Sequence, residues 1–484
     1  MKNSFFSHFA WRLFERCGAQ LVSLVVTIVL ARILDPKTYG TVAIVTVIIT
    51  FLQVLVDSGL GTSLIQKKDS DDVDFSSVFY FKIVFCVLLY LLLFFLAPLI
   101  ANFYNSDILI PVIRVLGVLI IVGGLKNIEQ AYVSKHMLFR CFFFSTIIGT
   151  IISAAVGIAM ALKGFGIWAL VAQMLTNEVI DTTILWFTVK WRPKKLFSIK
   201  RIRTLFSFGW KIMAASLLEN IYDSLSSLIV GKKYSSEDLA YYNKGKQFPH
   251  LVIANLSMSL DSVLLPTLSA VQDNLPKVKE LVRRSVKITS FALLPITFGM
   301  AVCSEPFVAT ILGDKWMSTV PFLRIMCFSY SFYAVNSAFK NGIKAIGRSN
   351  VFLITEIIKK AIGISLILIF MRHSVEAIAF GLLISSFANI IVNAFPYKKF
   401  LDYSVLEQLK DFCPSLIASA TMFLCIYPLN LLIVPYWTKL LIIIPVGAFL
   451  YILIGFLFKM TGFLYFEQII CNFFAKGRKE KCEK

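Results

Sequence analysis

The chain has 484 residues, of which 58% are hydrophobic and only 16% charged, with 44 phenylalanines and a net charge of +20. A mean hydropathy of +0.78 excludes a soluble globular protein, because no single core could hide that much apolar side chain. Lipid offers the backbone no hydrogen-bond partners, so the chain must cross a bilayer as helices or as a closed barrel, and apolar runs of about 20 residues select helices.

The first predicted span covers residues 10–33 and carries Arg12, Glu15 and Arg16 before Gln20, Ser23 and Thr27. Too long and too polar for a signal-peptide core, it is expected to stay attached. Arg12 and Arg16, four residues apart, put two guanidinium groups on one helix face, a geometry suited to phosphate. Anchoring at the cytoplasmic entry, or pairing with Glu15, is the competing reading. Span two, 38–64, carries Thr46, Thr50, Gln53 and Asp57 and runs into Gly59 and Gly61. That lone GxG follows no strand, so it predicts a turn and not a dinucleotide site.

The link after span two holds Asp69, Asp71, Asp72 and Asp74. Their DxD spacing would suit a metal-bound sugar nucleotide, but so short a solvated link does not make a glycosyltransferase, and no enzyme is predicted. Spans three to six follow at 76–103, 111–134, 139–162 and 166–189. Within span four, Lys126, Glu129 and Gln130 break the apolar run; ionisable groups inside spans face a cavity or pair with one another, and both readings stand for Lys126 and Glu129.

Next comes the densest basic segment, Lys190, Arg192, Lys194, Lys195, Lys200, Arg201, Arg203 and Lys211, with no acidic residue among them. Placing the N-terminus and every second connection in the cytoplasm gives that side about a threefold excess of Lys and Arg, which satisfies the positive-inside rule. The cluster is thereby assigned to topology and to anionic headgroups, with capture of a phosphate-bearing lipid substrate as the alternative. Nucleic acid is not an expected partner.

The second half repeats the first. Spans are predicted at 206–231, 246–271, 285–304, 320–346, 351–371 and 376–397, and Ser216, Asn220, Asp223 and Ser227 follow Arg16, Gln20, Ser23 and Thr27 by about 200 residues. Each quartet occupies one helix face. Lys211 sits at the depth of the early arginines, and Lys340 in span ten aligns with Gln130. Pro98 and Pro306 correspond, as do Pro111 to Arg114 and Pro321 to Arg324. Six spans per copy make this a parallel repeat about an axis along the membrane normal, with two lobes expected to face a central cleft.

Glu219 and Asp223 are neighbours on span seven beside Asn220 and Tyr222. Such carboxylates share a proton or hold a cation, which would couple transport to a proton or sodium gradient; hydrogen bonds to sugar hydroxyls and pairing with cations are the alternatives. Gln53, Asp57, Ser257 and Asp261 are secondary candidates, with helix capping competing for the two aspartates. A last pair of spans, 412–434 and 438–458, precedes an aromatic stretch, 463–474, and a Lys-rich tail. The nine cysteines show no metal-ligand spacing and are read as small apolar fillers; no metal or cofactor is predicted.

The expected architecture is therefore all-α, with about 14 spans. It comprises an N-terminal six-helix lobe (1–190), a basic linker (191–205), a C-terminal six-helix lobe (206–400) and a final helix pair with its tail (401–484).

Several motifs resemble those of Wzx-type polysaccharide flippases. They are Leu30-Ala31-Arg32-Ile33-Leu34-Asp35-Pro36 with Tyr39-Gly40, then Asp57-Ser58-Gly59-Leu60-Gly61, Leu64-Ile65-Gln66-Lys67-Lys68, and Leu96-Ala97-Pro98-Leu99 with Phe103-Tyr104. The similarity continues through Gly164 to Leu170, Tyr241-Tyr242-Asn243 and Leu265-Pro266-Thr267-Leu268-Ser269, covering roughly residues 5–400. The resemblance implies membership of the multidrug/oligosaccharidyl-lipid/polysaccharide exporter superfamily. It further implies transfer of undecaprenyl-diphosphate-linked oligosaccharide across a bacterial inner membrane by alternating access, for O-antigen or exopolysaccharide. Arg12, Arg16, Gln20, Ser23, Lys126, Lys211, Asn220 and Lys340 are the residues expected to meet such a cargo. Both termini are expected in the cytoplasm, and the protein is expected to act as a monomer that hands its product to a polymerase and chain-length regulator. A cation-coupled multidrug antiporter of the same superfamily is the nearest rival, ahead of a membrane glycosyltransferase or polymerase.

Overall fold

A computed structural model describes residues 2–57, 59–67, 69–136 and 138–465. Side chains are described from residue 18 onward, except those of residues 139, 208, 212, 255, 257–263, 265, 334 and 349. Among the described residues every regular element is helical. The chain divides into two compact units, Met1–Ala240 and Tyr241–Lys484.

The N-terminal unit contains α1 (Lys2–Ile33), α2 (Pro36–Asp57), α3 (Leu60–Gln66), α4 (Asp72–Tyr104), α5 (Leu109–Leu116), α6 (Val118–Lys135), α7 (Phe139–Leu162), α8 (Ile167–Thr188) and α9 (Ile199–Lys233). The C-terminal unit begins within α10 (Ser236–Ser269) and contains α11 (Leu275–Val302), α12 (Ser304–Ile311), α13 (Val320–Ser331), α14 (Tyr333–Ala345), α15 (Ser349–Phe370), α16 (Val375–Leu401), α17 (Val405–Ile426) and α18 (Tyr436–Leu457). Two 3-10 turns, Asp314–Thr319 and Tyr427–Leu431, complete it. Although α9 opens the second sequence repeat, it packs along α2, α3 and α4 and so falls in the first compact unit.

Eight helical stretches among the described residues are long and apolar enough to cross a membrane. The other predicted spans fall on α1, α8, α9, α10, α15 and the α13–α14 pair; in α1 the described apolar part is the shorter stretch Gly18–Ile33, and α15 carries Glu356, Lys359 and Lys360. Span two, predicted over 38–64, is interrupted at the turn expected from Gly59 and Gly61. α2 stops at Asp57 and α3 restarts at Leu60, because Gly59 adopts φ +64° and a Cβ there would lie 2.1 Å from the Gly209 carbonyl oxygen of α9. Only glycine meets both conditions. Spans four and ten likewise consist of two helices each, and Pro98 and Pro295 lie inside α4 and α11.

Small residues set the tightest packing in the N-terminal unit. Gly149, Ser153 and Gly157 repeat every fourth residue of α7 and let α8 approach, with a Cβ at Gly157 only 2.8 Å from Gln173. The C-terminal core is aromatic and aliphatic, centred on Phe291, Phe339, Tyr397, Tyr403 and Tyr451. Its tyrosine hydroxyls are used: Tyr397 donates to the Phe339 carbonyl at 2.6 Å and Tyr451 to the Phe291 carbonyl at 3.0 Å. Caps fix the helix starts, with capping boxes at Asp71 for α4 and Ser404 for α17.

Candidate functional site

The α2–α3 break opens one side of a cavity of about 380 Å³ in the N-terminal unit. From α6 come Asn127, Gln130 and Ser134, and from α9 come Met213, Ser216 and Asn220, each set on one helix face. Asp57 and Val54 line it from α2, and Thr62 and Ile65 from α3. Ser63 fixes α3 by donating to the carbonyls of Gly59 at 2.9 Å and Leu205 at 3.1 Å. Amide and hydroxyl groups dominate the polar part of this lining, and Asp57 is its one charged side chain. The chemistry suits a polyhydroxylated ligand. The volume sits at the low end of the roughly 300–1,000 Å³ of small-molecule sites, enough for a headgroup fragment.

An ionic layer lies in the same unit. Lys126 on α6 donates to both carboxylate oxygens of Glu178 at 3.1 Å and pairs with Asp181 at 2.7 Å, both on α8. Gln53 and Glu178 flank Gly123, each 3.9 Å from where its Cβ would stand. Lys82 on α4 is fully buried, its ammonium has no hydrogen-bond partner among the described residues, and Asp57 is a charge it feels. Glu129 is also fully buried, with neither carboxylate oxygen hydrogen-bonded and the Arg192 guanidinium 4.0 Å away.

The acidic run before α4 is consumed by the basic segment. Asp71 pairs with Arg201 at 2.6 Å, Asp72 with Lys194, and Asp74 with Lys67 and with Arg201, the latter at 3.2 Å. Trp191 donates to Asp72 at 3.2 Å, and the Lys194 and Ser198 amides donate to the Ser76 and Ser77 hydroxyls. Burial raises the Asp71 carboxyl, and the Asp74 amide and Arg201 guanidinium more than reverse that, holding it below the usual carboxylate range. These aspartates form a clasp that pins residues 191–201 onto α4.

Of the residues singled out from sequence, Asp57 and Asn220 line the cavity, as do Gln130 and Ser216. Lys126 is engaged by its two carboxylates. On α9, Lys211, Glu219 and Asp223 are exposed, and on α14 Lys340 is exposed with its ammonium 5.9 Å above the Phe352 ring. Gln20 is half-buried and Ser23 exposed on α1, which packs on α7. The side chains of Arg12, Arg16, Ser257 and Asp261 lie outside the described residues, as does most of the 463–474 stretch. Glu178 and Asp181 were not anticipated, nor were Asn127 and Ser134. The i, i+3, i+7 spacing of Asn127, Gln130 and Ser134 was the available signal.

A chain of long apolar helices enclosing a polar cavity has the architecture of a multi-pass membrane protein. The structure of the lipid II flippase MurJ in an inward closed conformation superposes with a TM-score of 0.76 over 92% of this chain and 98% of that one, at 16% identity. An inward-facing multidrug resistance MATE family transporter of the MOP superfamily gives 0.62 over 80% and 96%, at 13% identity. The fold is thus that of these transporters. Residues 29–321 match the family described as polysaccharide biosynthesis protein, and the chain belongs to that family. It is 23% identical to the succinoglycan biosynthesis transport protein ExoT of Rhizobium meliloti over 70% of this chain and 69% of that one. It is 24% identical to the lipopolysaccharide biosynthesis protein WzxC of Escherichia coli over 63% of each chain. It is 23% identical to the teichuronic acid biosynthesis protein TuaB of Bacillus subtilis over 57% and 58%. The matched stretches thus span about three fifths of WzxC and of TuaB.

Proposed function

We propose that the protein is a flippase for undecaprenyl-diphosphate-linked oligosaccharide, moving it by alternating access from the cytoplasmic to the periplasmic leaflet of a bacterial inner membrane for surface polysaccharide assembly. The observation that carries this reading is the amide- and hydroxyl-lined cavity within a chain of the polysaccharide biosynthesis family. Sugar hydroxyls pair with such groups, whereas a drug exporter calls for an apolar, aromatic pocket. The names of ExoT, TuaB and WzxC point to cell-surface glycans as the cargo class.

A diphosphate cannot cross about 30 Å of hydrocarbon with its charge unpaired. Arg12, Arg16 and Lys211 are assigned to that charge, Asn220, Gln130 and Ser216 to the sugars, and the polyprenyl tail stays in lipid. Glu219 and Asp223 are assigned to coupling with a proton or sodium gradient. The protein acts as a monomer and passes its product to a polymerase and a chain-length regulator.

Deleting the chromosomal copy tests the cargo. A lipid-linked oligosaccharide should accumulate in the cytoplasmic leaflet and clear on complementation with the wild type, but not with an Asn220→Ala, Ser216→Ala double variant. Unchanged glycolipid together with increased drug sensitivity would establish the antiporter instead. In proteoliposomes, a transport rate indifferent to imposed proton and sodium gradients would remove the coupling role of Glu219 and Asp223.

A further inference from the structure

The C-terminal unit holds a second cavity, of about 310 Å³, that the transport reading does not use. The N-terminal part of α11 supplies Lys279, Arg283, Arg284 and Lys287 together with the carboxylate Glu280, and Tyr465 closes it from the segment after α18. α17 orders most of these cations. Arg283 grips Asp411 with two nitrogens, at 2.6 and 3.1 Å; Lys287 reaches the same carboxylate at 3.2 Å, and Lys279 reaches Glu407 at 3.0 Å.

Charge is left over. Glu280 is engaged by Lys277 at 2.7 Å, so Lys277, Lys279, Arg283, Arg284 and Lys287 face only Glu280, Glu407 and Asp411. Arg284 is exposed, has no carboxylate within ion-pair distance among the described residues, and lies with its guanidinium carbon 4.6 Å above the Tyr465 ring. Stacking of that kind fixes the plane of the fork and leaves its N–H edge free for an oxyanion. The cavity also borders the first turns of α11, whose dipole favours an anion there.

Apolar surface flanks this charge. Leu464, the chain neighbour of the pocket residue Tyr465, is exposed. A free inorganic anion gains nothing from such a neighbour, whereas acyl chains do. Charge patterning assigns this end of α11 to the cytoplasm, where anionic headgroups are abundant.

We propose that the α11 pocket is a binding site for a lipid-borne phosphate, taking the phosphodiester of an anionic phospholipid between Arg284, Lys287 and Tyr465. It is separate from the cavity of the N-terminal unit and does not depend on the identity of the transported glycan.

The test is native mass spectrometry of the full-length protein in detergent, titrated with phosphatidylglycerol and with phosphatidylcholine of the same chains. Wild type should retain phosphatidylglycerol about tenfold more tightly, the size of one or two charge-assisted hydrogen bonds. Arg284→Gln should remove most of that preference, Arg284→Lys should restore part of it, and Lys163→Gln, at an exposed position just after α7, should change nothing. Arg284 is exposed, so the variant keeps its fold, which an unchanged melting midpoint without lipid verifies. Wild-type preference in Arg284→Gln overturns the site. Displacement of phosphatidylglycerol by equimolar inorganic pyrophosphate overturns the lipid assignment in favour of a soluble phosphate. Displacement by geranylgeranyl diphosphate without any phosphatidylglycerol preference overturns the phospholipid assignment in favour of a polyprenyl diphosphate.

Discussion

Two lysines in the N-terminal unit, Lys126 half-buried and Lys82 fully buried, have opposite surroundings. Lys126 has two carboxylates within 3.1 Å, while Lys82, 1% exposed on α4, has no hydrogen-bond partner among the described residues. A buried ion pair is costly to break and nearly free to replace whole by apolar groups; a buried lone charge costs the fold outright and persists when something other than stability requires it. Lys126 therefore reads as a strut between α6 and α8. Lys82 lacks any such pair, and for it a role in transport and not in stability is the prediction to test.

The largest effect should come from cutting the strut. Lys126→Met leaves Glu178 and Asp181 as uncompensated carboxylates and should cost about 3–5 kcal/mol, seen as a sharply lowered unfolding midpoint in detergent or as loss of monodisperse protein. The triple change Lys126→Met, Glu178→Gln, Asp181→Asn should return to within about 1 kcal/mol of wild type. A triple variant as unstable as the single one would mean that the charges serve more than each other.

Lys82→Met sharpens the contrast from the other side. Replacing an unsatisfied buried ammonium with an isosteric apolar chain should leave stability unchanged or raise it by about 1–2 kcal/mol. Complementation of a flippase deletion should nevertheless fall, because Asp57 loses its neighbouring positive charge. Destabilisation on the scale of Lys126→Met would erase the distinction between the two lysines.

Glu129 offers a smaller test of the same kind. Both of its oxygens are buried and unbonded, but Arg192 stands at 4.0 Å and offsets part of the cost. Glu129→Gln should thus stabilise by no more than about 1 kcal/mol, read as the unfolding midpoint in detergent. A large loss in this variant would show a partner for Glu129 that the ion-pair geometry does not reveal.

How far the sequence anticipates these features depends on the range of the interaction. Residues 139–162 were expected as a span and form α7 over Phe139–Leu162, because hydropathy reports a local property. The cavity positions of Ser216 and Asn220 followed from helical spacing for the same reason. The turn at Gly59 was legible from the glycines themselves, but the close approach of Gly209, about 150 residues later, left no local trace. Pairing of Lys126 with Glu178 and Asp181 crosses two helices and likewise leaves no local periodicity. The short helix α12 and the turn at Asp314–Thr319 were missed because neither is long enough to register as a span. The aspartates before α4 and the lysines after α8 were both visible in the sequence, but nothing local in it paired them.

The smallest predicted effect concerns that clasp, where charge lies at the surface instead of in the core. The Asp71 carboxyl is held below its ordinary value, so its contribution is fully present above the unfolded carboxylate range, near pH 4, and is lost as pH falls through the depressed folded value. Asp71→Asn isolates the charge, since asparagine remains a good N-cap and can still accept from the Asp74 amide. The variant should melt slightly below wild type at pH 7. That gap should stay constant down to about pH 5 and close below about pH 4, as the wild-type carboxylate protonates and becomes equivalent to the amide. A gap unchanged at pH 3 would mean that Asp71 acts through cap geometry alone. The clasp to Arg201 would then be incidental, and the linker would be held by Trp191, Ser76 and Ser77.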